Sequence, residues 1–215
     1  MSSRLSPISS RRFRSSSTAE EWRPQTTVGG NGTRTGQGGS AASERDVVSQ
    51  LFAAVRDEVR YDPYSLSADP DDYCASAVLA AGSGYCVPKA VLLAAAARAA
   101  GIPSRLGFAD VRNHLQSDRL LSVMGTDLFV FHGYSIIFID GQWRKASPAF
   151  NRELCARFGV APLDFDGSSD ALLHAHSGSG ERYMEYVRDH GSFQDLPLDE
   201  IIAAYRATYP AMTEM

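Results

Sequence analysis

The chain has 215 residues, 44% of them hydrophobic and 21% charged, which is the size and composition of one ordinary globular domain with or without a tail. Residues 1–43 hold six arginines against two glutamates, a net +4, so with −4 for the whole chain residues 44–215 carry −8. An acidic folded part has no basic footprint for nucleic acid, and no apolar run approaches the roughly 20 residues of a membrane span, so neither partner is expected.

Residues 1–43 contain ten Ser and six Gly with few large apolar residues, and such a segment cannot offset its ordering entropy; a disordered tail is expected. It has no apolar stretch of signal-peptide type. Its Arg- and Ser-rich start superficially suits a mitochondrial transit peptide, but a solvated tail is the simpler reading. The domain is expected over residues 44–215. Ser43 and Asp46 form an N-terminal capping signature, followed by Val48, Leu51, Phe52, Val55 and Val59 at helical spacing. A second helix is expected over about residues 71–81, ending at Gly82-Ser83-Gly84. A third runs over about 87–100, with Pro88 in its first turn and Gly101 and Pro103 as its stop.

The texture then turns to strands: residues 104–111, 129–139 and 142–146, the last two flanking Asp140-Gly141, a two-residue hairpin turn. Short helices are expected at 152–158, 181–190 and 198–205. Helices first and an antiparallel sheet afterwards make an α+β fold.

The three cysteines, Cys74, Cys86 and Cys155, stand in no CxxC or zinc spacing, so no metal or cofactor is expected and a reducing, cytoplasmic setting fits best. Cys86 follows Gly84-Tyr85 at the start of a helix, where unpaired N–H groups and the dipole favour a thiolate. Lys89 adds a positive charge one turn on. A thiolate attacks carbonyl carbon, and the same N–H groups hold the resulting oxyanion. The plainer alternative is a small buried apolar residue.

His132 interrupts an otherwise apolar strand, and a buried ring needs a hydrogen-bonded partner. With Asp140-Gly141 as the loop, His132, Tyr134 and Ser147 share one face, and Ser147 is a diagonal neighbour of His132. Cys74 and Cys155 read as packing residues and Tyr134 as cleft wall or core. His190 is expected at a helix C-terminus and His114 in a loop, while His174 and His176 form an isolated pair in a Ser/Gly-rich stretch.

The string Gly84-Tyr85-Cys86-Val87-Pro88-Lys89-Ala90, continuing to Gly101-Ile102-Pro103-Ser104-Arg105, resembles the transglutaminase-like core of the papain-like thiol enzymes. A second block, His132 followed by Gly141-Gln142-Trp143 and Ser147-Pro148, resembles that family's histidine strand and the strand after it. The resemblance covers about residues 44–160. It implies N-terminal helices packed on an antiparallel sheet, Cys86 as nucleophile and His132 as base. Where the family has an aspartate fifteen residues after the histidine, this chain has Ser147, which can orient a ring but brings no charge. Asn151, just past the strand, and Asp110, on a neighbouring strand, are the other candidates to orient His132. The expected chemistry is thiol-dependent acyl transfer, or hydrolysis of an amide in a peptide, protein or small molecule. The alternative is a catalytically weakened or inactive domain of the same fold that binds peptides or proteins.

Overall fold

The computed structural model describes residues 42–209 and residue 211, and the expectation of a disordered tail over residues 1–43 lies almost wholly outside them. Helix α1, Glu44–Glu58, starts at Ser43, whose hydroxyl accepts from Asp46 N at 3.2 Å while Asp46 Oδ2 accepts from Ser43 N at 3.1 Å. Its apolar stripe of Val48, Leu51, Phe52 and Val55 is buried, so core burial and capping agree on where it lies. Strand β1, Arg60–Tyr61, pairs in parallel with β2, Ser83–Gly84. Between them a 3₁₀ turn, Pro70–Tyr73, precedes helix α2, Ala75–Ala81, so the expected second helix is split at Cys74. Helix α3, Cys86–Ala99, is buried along most of its length.

The main sheet has four antiparallel strands in the order β5-β4-β3-β6: β3 Ser104–Asn113, β4 Leu128–Ile139, β5 Gln142–Ala146 and β6 Met184–Phe193. The expected hairpin register is observed, Ser135 facing Ala146 and Ile139 facing Gln142. Its turn needs two left-handed residues, and Asp140 and Gly141 take φ values of 50° and 79°.

Two expectations are corrected. The helix read over residues 181–190 is strand β6: the spacing of Tyr183, Met184 and Val187 mimics a helix, but pairing with the edge of β3 wins. A helix α4, Asp118–Met124, also intervenes between β3 and β4, capped by Ser117 and closed by Gly125 at φ 70°. Helices α5, Arg152–Arg157, and α6, Leu198–Thr208, follow the hairpin and β6, so the class is α+β but the helices are not confined to the N-terminal part.

Helix α3 lies directly on β4. A Cβ at Gly133 would stand 2.9 Å from Val87 Cα and 3.3 Å from Cys86 O, so only a bare backbone permits the approach. Ser135 Oγ donates to Ala90 O at 2.8 Å one turn further along. Gly133→Ala is therefore expected to cost about 1–3 kcal/mol through overpacking and to lower Tm by several degrees. An unchanged calorimetric Tm would show that the helix yields without strain.

Candidate active site

Cys86 opens α3, and the N–H groups of Gly133, Val87 and Cys86 itself face its sulfur. Its residue is nonetheless only 4% exposed. Burial pushes the thiol up to about 11, outweighing those donors, so the helix-start lowering expected from sequence does not prevail in this closed state. Lys89 does not help it. Its ammonium is buried and turns away from the thiol to donate to the carbonyls of Arg56 (2.9 Å) and Val59 at the end of α1, and burial pulls it down to about 7.

His132 is 3% exposed on β4, and its Nε2 is hydrogen-bonded to Ser147 Oγ at 3.2 Å. Ser147 is held in place by its own N–H, which donates to Ala171 O at 2.9 Å. Burial alone pulls the imidazole down to about 4. The thiol and the ring are thus both neutral near pH 7, and no hydrogen bond joins them. The chain brings them together through Gly133, whose N–H faces the sulfur and which directly follows His132. With Nε2 on Ser147, Nδ1 is the ring nitrogen left for proton exchange.

The other two candidate orienters are committed elsewhere, which corrects the expectation. Asn151 accepts from Tyr61 N at 2.6 Å and donates to Val59 O at 3.0 Å and to Arg56 O, so its amide ties the end of α1 to β1. Asp110 Oδ1 accepts from Phe131 N at 3.0 Å and is bonded to His190 Nε2 at 2.7 Å. His190 lies on β6 rather than at a helix end. Tyr134 is core, its ring lying over the bare backbone of Gly107. Cys155 is buried, and Cys74 is half-buried with its thiol pushed up by burial and by Asp71 and Asp69. His114 is bonded to Glu185 at 3.1 Å, and the backbone of His176 forms an isolated antiparallel β-bridge with that of Arg182.

Sequence reading did not foresee the aromatic wall around Cys86. Tyr61, Leu66, Tyr85, Met124, Tyr205 and Tyr209 are among the residues that line a half-open pocket of about 30 Å³ beside it, space for about two water molecules. The C-terminal part of the wall is anchored by Tyr209, whose hydroxyl accepts from Val130 N at 2.6 Å and donates to Leu128 O at 2.9 Å. A pocket of that size is too narrow for more than a few atoms, so an acyl group must fit closely against this wall to reach the sulfur. The apolar spacing of Ile201, Tyr205 and Tyr209 in the sequence was the available signal for a packed helix, though not for what it covers.

The sequence model of the transglutaminase-like superfamily matches residues 33–148, more than half of the chain, including Cys86, His132 and Ser147. Among solved structures, one from Cytophaga hutchinsonii described as a "Putative Cysteine Protease" aligns with 76% of this chain at 17% identity and a TM-score of 0.38. The chain matches only 39% of that protein's length. No curated protein matches it.

Asn151→Ala is expected to cost about 2–3 kcal/mol, because it leaves buried backbone groups unpaired. In the protein that remains folded, Cys86 should react with iodoacetamide within about twofold of the parent; a tenfold slowing would put Asn151 back beside His132. A second expectation concerns pH. The folded His132 refuses a proton that the unfolded chain accepts below about 6.5, so stability is full above that pH and falls as pH drops toward 4. The loss is up to about 3 kcal/mol, and His132→Gln should flatten this limb in urea titrations run across the window.

Proposed function

The chain belongs to the transglutaminase-like superfamily, and on that premise we propose that it is a thiol-dependent hydrolase or acyltransferase with Cys86 as nucleophile, His132 as general base and Ser147 as the group that orients the ring. The observation that carries this reading is the contact of the α3 start with β4 at Gly133, beside a histidine whose Nε2 is already held by Ser147. Once a substrate enters the pocket beside Cys86, Nδ1 takes the thiol proton and the sulfur attacks the carbonyl carbon. The N–H groups around the sulfur hold the oxyanion. Collapse expels the amine, which takes the proton back from His132, and leaves a thioester on Cys86. Water, deprotonated by His132, then releases the acid. We favour hydrolysis of an amide in a peptide, protein or small molecule, since water is always at hand and no amine-binding feature is evident. Three free cysteines among the described residues fit a reducing, cytoplasmic setting. No helix among those residues is long and apolar enough to cross a membrane.

A specific observation favours a second reading. A neutral histidine with no carboxylate on its held nitrogen, beside a buried neutral thiol, suits a domain that keeps the fold and binds peptides or proteins without turnover. Iodoacetamide labelling at mildly acidic pH, followed at Cys86 by peptide mass spectrometry, separates the two. The enzyme reading expects Cys86 to label faster than Cys74 and His132→Ala to slow it at least tenfold. It also expects Ser147→Asp, which puts a carboxylate against Nε2, to quicken labelling near pH 7 by about tenfold. Labelling of Cys86 that is indifferent to both substitutions would leave the binding module as the function.

A further inference from the structure

The antiparallel ladder of β3 is broken on both sides around Asp110, once towards β4 and twice towards β6. On the β4 side Ala109 faces His132 and Val111 faces Phe129, so Val130 and Phe131 together stand opposite Asp110. On the β6 side Phe108 faces Gly191 and Ala109 faces Asp189, so His190 is an extra residue; Asp110 then faces Arg188 and Val111 faces Tyr186, which leaves Val187 as a second one. Each is a β-bulge, a device that re-aims the side chains next to it. The extra residues meet over Asp110. Phe131 takes φ 51°, a left-handed conformation that a non-glycine residue adopts only when its surroundings hold it. Its N–H donates to Asp110 Oδ1 at 3.0 Å, and its ring stacks on His190 with centroids 4.0 Å apart and planes 18° apart. His190 Nε2 is bonded to the same Oδ1 at 2.7 Å, and the side chains of His190 and Asp110 are only 11% and 13% exposed.

His132 is the next residue after this kink. One residue of slip in a strand turns every side chain to the opposite face, so the bulge is what reconciles the register of residues 128–129 with that of residues 132–139. We propose that Asp110 is a positioning residue for His132: braced by His190, it pins Phe131 in the left-handed conformation and thereby sets the direction in which His132 leaves the strand. Asp110 does not touch the ring and takes no proton from it. This inference rests on the Cys86–His132 reading above.

The test compares the pH profile of Cys86 alkylation by iodoacetamide in the full chain, read at Cys86 by mass spectrometry, for the parent, Asp110→Ala, Asp110→Asn and His132→Ala. Asp110→Ala should slow alkylation at least tenfold near pH 7 and give the profile of His132→Ala. Asp110→Asn keeps an oxygen able to accept both N–H groups and should recover most of the parent rate. A merely structural residue would lower Tm and leave the profile of the folded protein in place. Should Asp110→Ala fail to fold, His190→Ala removes the brace alone and should slow alkylation at least threefold with a profile shifted toward that of His132→Ala. A parent profile in Asp110→Ala, or in His190→Ala where it must stand in, alongside an altered one in His132→Ala, overturns this inference and leaves the Cys–His pair intact. A parent profile in His132→Ala overturns both.

Discussion

Everything at the candidate site hangs on one steric fact: Gly133 has no side chain. The start of α3 rests on bare strand backbone, with Val87 Cα and Cys86 O where a Cβ would be. That contact fixes the thiol relative to β4 without any polar bond between the proposed nucleophile and base. The polar ties that hold α3 lie further along or on its other side: Ser135 to Ala90 on the sheet face, and Lys89 to the last carbonyls of α1. Lys89 and Asn151 share those carbonyls, so α1, α3 and the start of α5 converge on one buried knot. Arg56 extends it to Asp57 and Asp164. A buried knot of this kind is costly to break because each lost partner leaves a desolvated group behind.

The hairpin was the most legible part of the sequence, because a two-residue turn and a period of two leave one register and one face for His132 and Ser147. The capping box of α1 and the Gly/Pro stop after α3 were local signals of the same kind. β6 was not legible. Its apolar residues fall at helical spacing, and only the open edge of β3, a feature of the tertiary fold, decides their conformation. The orienting residue was ambiguous for a related reason. Ser147, Asn151 and Asp110 are all polar and all near the strand ends, and what separates them is the competing carbonyls and N–H groups that claim Asn151 and Asp110 first.

The electrostatics of the site were the least legible. A helix start with a lysine one turn on reads as a place for a thiolate, yet the folded chain holds a thiol pushed up to about 11 and an imidazole pulled down to about 4. Burial dominates both. The N–H groups aimed at the sulfur are real, but their influence is smaller than the cost of holding an ion in an aromatic box. Helix position sets where a charge would be stabilised; access to solvent or substrate sets whether it forms.

The aromatic wall also orders events in time. Cys86 precedes both Tyr205 and Tyr209 by most of the length of the domain, so during synthesis the thiol leaves the ribosome long before the residues that cover it. Over that interval its ionisation is governed by water rather than by the box, and an oxidant meets it in its more reactive form. The environment that pushes this thiol up is therefore complete only once α6 and Tyr209 have packed against it.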